Sequence, residues 1–316
     1  MLRFIARRLA ASLPVLVGIS ILSFAALELS PGDPALIALR ALLNLDSPPD
    51  ESVARLREEM GLNAPLHARY LRWVARTLTG DLGFSYQTRR PAAVEIMSVL
   101  PATALLAVAT LVLILLLVIP CGIASAIRKH SLFDRTTLLG SLLAVAIPDF
   151  FLGVLFILAF SLGLGWFPVA GYGSVRHLVL PALTLAAGNA AVSVRVVRAA
   201  MLEVLGTEYV TTARAKGIRE TVVVAKHAFR NALIPILTYV STQFGYLFGG
   251  AVVVESLFRW PGLGRLLVDS VSARDVMVVQ GCVLVTAGAY VIINLVVDAL
   301  YGLIDPRIRL GETHAP

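Results

Sequence analysis

The sequence predicts an all-α integral membrane protein with six transmembrane helices and a small helical extracytoplasmic cap. Three observations carry that prediction. Of 316 residues, 58% are hydrophobic and 15% charged, with a mean hydropathy of +0.82; a soluble domain is nearer half apolar and a quarter charged. The apolar residues gather into runs of about 20 or more, the length that crosses a bilayer core as a helix. The basic residues collect beyond one set of run ends, as cytoplasmic loops require.

The runs can be taken in order. Met1–Arg8 is basic, and Leu9–Leu29 is longer than the apolar core of a signal peptide and lacks a small-x-small cleavage site. It is expected to stay as the first span. Leu100–Ile127 is uncharged, Thr136–Gly165 carries only Asp149, and His177–Val194 is uncharged and extends toward Arg198. Asn231–Val254 and Val276–Val297 complete the six. With the N-terminus inside, the inner segments hold 15 basic and seven acidic residues, against 12 of each outside. All three lysines, Lys129, Lys216 and Lys226, fall inside. Both termini are therefore expected in the cytoplasm. The net charge of +7 follows from that asymmetry, and nucleic acid is not expected as a partner.

Two polar segments separate the spans. The outer one, 30–98, opens on the turn sequence Ser30-Pro-Gly-Asp-Pro34. It continues with a helical stretch Glu51–Met60 capped by Gly61, then an amphipathic piece Pro65–Leu78 with Leu66, Tyr70, Trp73 and Leu78 near one face. The inner one, 199–230, has no proline and interleaves aliphatic with charged residues, as a docking element would. The segment 99–310 is expected to form a five-helix core, with 311–316 as a tail.

Much chemistry is absent. No G-x-x-x-x-G-K-[ST] phosphate loop, H-E-x-x-H motif or G-x-S-x-G nucleophile elbow occurs, and the five histidines are scattered. Catalytic, cofactor and metal residues are expected to be none. Cys121 and Cys282 lie in apolar runs and read as packing residues. Gly249-Gly250 reads as a close-packing site within a span. Asp149, following Pro148, is a charge deep in an apolar run, which marks either a solute path or a paired acid. Asn189, Gln243, Thr184, Ser193, Thr238 and Tyr239 add polar surface to the fourth and fifth spans, as a path or as helix–helix hydrogen bonds.

Several motifs together carry a resemblance. Tyr209-Val-Thr-Thr-Ala-Arg-Ala-Lys-Gly217 and His227-Ala-Phe-Arg-Asn-Ala-Leu-Ile-Pro235 resemble the cytoplasmic loop of binding-protein-dependent ABC importer permeases, in their peptide and nickel branch. Pro31–Pro34, Gly80–Ser85, Leu100–Thr103, Leu180–Leu183, Glu255–Gly264 and Asp305–Arg309 match in the same order along the chain. Thr211-Thr212-Ala213 stand where the general family motif has Glu-Ala-Ala, so Ala213 and Gly217 are the positions retained.

The resemblance implies a type I importer permease fold in a bacterial cytoplasmic membrane, surrounded by membrane lipid. It implies as partners a second homologous permease subunit, two ABC ATPase subunits that bind ATP and Mg, and an extracytoplasmic solute-binding protein. It makes Glu208, Tyr209, Thr212, Ala213, Arg214, Ala215, Lys216 and Gly217 the ATPase-coupling residues. Ala213, Ala215 and Gly217 would allow close approach, while Arg214, Lys216 and Arg219 pair at the groove rim. Asp149, Asn189 and Gln243 become candidates for the translocation path. Glu255, Arg259, Trp260, Pro261 and Gly262 become the receptor-facing mouth, followed by a short helix Leu263–Val271. Dipeptides, oligopeptides or glutathione are the implied substrates, with nickel or a metal chelate as the alternative. An ATP-independent channel or an intramembrane enzyme would have no use for the 209–217 element.

Overall fold

A computed structural model describes residues 2–29, 32–43, 45 and 47–304. Asp305–Arg309, the 311–316 tail, and Ser30 and Pro31 of the first turn lie outside the described residues. Thr238, Gly249 and Gly250 are described in their backbone alone. Among the described residues the secondary structure is helical, with one isolated bridge between Phe84 and Pro91. The chain divides into two compact units, one built from Leu9–Thr103 and Pro261–Ala289, the other centred on Ala104–Trp260.

Helix α1 (Leu2–Glu28) leads to three short helices, α2 (Pro34–Leu43), α3 (Asp50–Glu59) and α4 (Leu66–Leu78). Asp33 caps α2 by accepting from the Ala35 N–H at 3.1 Å, and Pro34 occupies the first helical position. The sequence reading took that stretch for a turn alone. Gly61, at φ +66°, ends α3 as expected. Its N–H donates to the Glu58 carbonyl and the Leu62 N–H to the Arg57 carbonyl, both 5→2 and 6→1 bonds of a Schellman cap.

On α4 the expected apolar face is only half right. Tyr70 and Trp73 pack on Phe24 with centroids 5.5 and 5.8 Å away, but Leu66 and Leu78 are exposed. Arg69 takes their place on the buried side, paired bidentately with Glu28 of α1.

Helix α5 (Ala92–Ile127) has 36 residues. At 1.5 Å per residue it is about 54 Å long, well beyond the ~30 Å bilayer core. The helix therefore begins some two turns before Leu100, inside the segment read as the cap, and extends beyond the length that a crossing needs. In the same unit α13 (Leu263–Ser272) and the start of α14 (Val276–Ile304) pack on α5 around Ile96, Leu263, Val278 and Cys282. Gly281 permits the approach: a Cβ there would lie 2.5 Å from Ile96 Cδ1.

The other unit is organised on α8 (Val175–Leu205). Helix α6 (Leu132–Ala146) ends at Ile147, extended before Pro148 as pre-proline residues are. Helix α7 (Asp149–Phe156) then departs at 102° and continues as a π-helical segment, Ile157–Gly163. Thr136–Gly165 is thus a broken pair, not one straight crossing. Among the described residues, four helical stretches are long and apolar enough to span alone, and the bent pair, taken as one span, makes a fifth. The fifth run of the sequence reading forms α11 (Arg230–Gly250), long enough to cross but more polar.

At the α5–α6 corner His130 has φ +67°, and Ser131 caps α6. The Asp134 carboxylate accepts from His130 N–H at 2.9 Å, from Ser125 Oγ, and from Arg198 of α8 at 2.6 and 2.8 Å. Asp134 is 2% exposed. Replacing it with alanine strands a largely buried guanidinium, which costs about 3–5 kcal/mol, whereas an apolar exchange of both partners restores most of the loss. Thermal unfolding of purified Asp134→Ala and Asp134→Leu/Arg198→Met chains is expected to show that order. Gly281→Val is expected to lower the yield of folded protein, at about 1–3 kcal/mol for overpacking. Gly140→Val, where a Cβ meets nothing within 4 Å, leaves the yield unchanged.

Candidate functional site

Helix α9 (Glu208–Ala215) links the end of α8 to α10 (Glu220–Val222), which runs through a π-helical segment, Val223–Phe229, into α11. Because α8 continues to Leu205, the connecting element is shorter than 199–230. Its inner side is a small core of Val210, Ala213 and Val223, with Val204, Leu205 and Ile218 around it. Gly217 closes α9 at φ +72°, its N–H donating to the Arg214 carbonyl at 2.9 Å and the Ile218 N–H to the Ala213 carbonyl at 3.4 Å. This is a second Schellman cap, with Ile218 folded onto the same core.

Four further bonds fix the element. Arg214 donates to Glu220 at 2.6 and 3.1 Å and holds its carboxyl below the ordinary value. Asn231 donates to the Tyr209 hydroxyl at 2.8 Å and to the His227 carbonyl at 2.9 Å. The surface left over consists of Glu208, Tyr209, Thr212, Arg214, Ala215, Lys216 and Gly217, all exposed. Ala213 is a correction: at 6% exposed, its small side chain serves packing within the chain and offers nothing to a partner. Around Gly217 a Cβ would meet nothing within 4 Å.

The three path candidates fall in one neighbourhood. Asp149 is the acid of the first turn of α7, where the helix dipole favours negative charge. Its carboxylate lies directly over Gly188 of α8, where a Cβ would collide with it. It has no hydrogen-bond or ion-pair partner among the described residues. The adjacent Asn189 is 8% exposed and accepts from Gln243 of α11 at 2.6 Å. Much of the other polar surface is consumed locally: Thr184, Asn189 and Ser193 each donate to the carbonyl four residues back, at 2.7–2.8 Å.

Between α12 (Val252–Leu257) and α13 the motif residues turn inward. Glu255 and Trp260 are 0% and 1% exposed, and Gly262 is buried as the residue before α13. Trp260 packs edge-on against Tyr172 at 4.8 Å, and the Trp260 N–H closes the turn on the Glu255 carbonyl at 2.8 Å. Of the five residues expected at a receptor-facing mouth, only Arg259 is exposed, with Pro261 partly so. A turn this tight, with Arg259 at φ +50°, needs its large side chains for its own packing. Sequence reasoning missed the Asp134–Arg198 pair, although Ser131-x-x-Asp134 is a visible capping signature.

The chain matches two family models: binding-protein-dependent transport system inner membrane component over residues 118–310, and the N-terminal membrane component of such systems over residues 1–109. It is 42% identical over 309 residues to the glutathione transport system permease protein GsiC of Salmonella paratyphi A, covering 98% of this chain and 99% of the relative. The GsiC protein of Escherichia coli K12 is likewise 42% identical, over 310 residues with the same coverage. The chain therefore belongs to the binding-protein-dependent transport system inner membrane components, multi-pass permease subunits of ATP-binding cassette importers that leave ATP hydrolysis to separate subunits.

Proposed function

We propose that this permease carries peptides of the glutathione class across the cytoplasmic membrane by alternating access. The substrate class rests on the relatives named for glutathione transport, which align with nearly the whole chain. A second homologous permease completes the path, and two ATPases bind ATP and Mg and dock beneath. A solute-binding protein delivers the cargo from outside. Both termini face the cytoplasm, in keeping with the concentration of basic residues at that side.

The observation that carries the coupling role is the contrast between the two sides of α9. Inside, the element is tied by the Val210 core, the Gly217 cap and the Arg214–Glu220 and Tyr209–Asn231 contacts. Outside, Glu208, Tyr209, Thr212, Ala215, Lys216 and Gly217 are free to meet a protein surface. A rigid lever transmits closure of an ATPase pair as rocking of the attached helices. Asp149 with Asn189 and Gln243 line the path, and Asp149 attracts the amino group of a peptide.

Two substitutions test this. Asp tolerates left-handed backbone better than most residues, so Gly217→Asp costs about 1 kcal/mol or less in the chain itself. At matched membrane levels it is expected to lower ATP-driven uptake at least tenfold while shifting thermal stability little. Uptake equal to wild type removes the coupling role. Asp149→Asn keeps size and helix position but removes the charge; insertion and ATPase assembly are expected to persist while the KM for peptide rises severalfold. Unchanged transport kinetics take Asp149 off the path.

A further inference from the structure

A cavity of about 150 Å³ opens where α1, α4 and the start of α14 meet in the first unit. That is several times the ~30 Å³ share of a liquid water. Its depth in the bilayer follows from its walls. The apolar stretch of α1 ends at Ala26, and Phe24 and Glu28 line the cavity. The apolar part of α14 begins at Val276, which lines it too. Trp73 and Tyr70, packed against Phe24 tilted and edge-on, stand at the same level, as interfacial aromatics do. This is the level of lipid head groups.

The polar lining is not self-satisfied. Arg69 is engaged by Glu28, but the guanidinium groups of Arg72 and Arg76, one turn apart on α4 and both on exposed residues, have no hydrogen-bond or ion-pair partner among the described residues. Arg72 lies across Gly61, where any Cβ would collide with its guanidinium. Gln280, 5% exposed, also lines the cavity, and its side-chain amide has no hydrogen-bond partner among the described residues. Its amide atoms stay accessible from the cavity, so they can bond whatever occupies it. Asp81, the acid at the rim, accepts from the Gly83 N–H and leaves an oxygen for a hydroxyl or amine.

We infer that this cavity binds the head group of a phospholipid, its phosphate held by Arg72 and Arg76 and an ester or phosphate oxygen by the Gln280 amide. Guanidinium forks match phosphate oxygens in pairs. The acyl chains continue along the span of α1, whose apolar window has no residue buried within the chain. Naming the leaflet as the outer one rests on the topology proposed above; the site itself does not.

The test uses the full-length permease, purified with its partner subunits in detergent, delipidated and titrated with phosphatidylglycerol under native mass spectrometry. One basic residue near anionic lipid is worth roughly fivefold in affinity, so R72Q/R76Q is expected to weaken binding on the order of tenfold or more. R55Q, an exposed arginine of α3, is expected to change nothing. Gln280→Leu, which leaves the charge untouched, is expected to weaken binding severalfold. Equal lipid affinity in R72Q/R76Q and wild type overturns the inference. So does competition by inorganic phosphate as strong as that by the lipid, which would mark a site for soluble anions. Uptake plays no part in the readout, so failure here is separable from failure of the transport reading.

Discussion

Rigid attachment of α9 to the ends of α8 and α11 is the constraint on which the functional account depends. A helix of eight residues is too short to hold its shape in water by itself. Here its form comes from burial of Val210, Ala213 and Val223 and from a left-handed glycine that returns Ile218 to the same core. Force applied to the exposed side then moves α8 and α11 instead of unwinding α9. The π-helical segment at the head of α11 adds a residue per turn next to this junction. Such segments tend to sit at functional positions in helices.

The second theme is how an apolar chain handles its charges. Asp134 is pinned by Arg198, Ser125 and the His130 N–H; Asp298 near the end of α14 faces Arg8 at 3.3 Å. Both pairs tie helices together near span ends, where desolvation is incomplete and pairing suffices. Asp149 is treated differently, with a helix N-terminus on one side and Gly188 on the other but no ion-pair partner among the described residues.

Much of this was legible in the sequence. Hydropathy and charge placement located the apolar segments because each extends over 20 or so residues and local detail averages out. Gly61 was readable as a cap because a left-handed residue after a helix has few alternatives to glycine, and Gly217 closes α9 for the same reason. The failures have physical causes too. The break at Pro148 was hidden by the apolar residues on both sides, which look continuous on any hydropathy window. Leu78 and Leu66 suggested a buried stripe on α4, yet Arg69 won that face through Glu28, a partner 41 residues away. Glu255 and Trp260 looked like surface recognition residues by type and are buried through contacts that no local pattern announces.

The most direct measurement of the central claim is site-specific cross-linking from Lys216→Cys in a Cys121→Ser background, in membranes holding the assembled importer. Lys216 is exposed at the tip of α9, and Cys282 is buried and shielded from reagents. The account predicts a covalent adduct with an ATPase subunit and no labelling of intact cells by a membrane-impermeant maleimide. Labelling from outside, or an assembled importer whose ATPases never cross-link to this position, would contradict it.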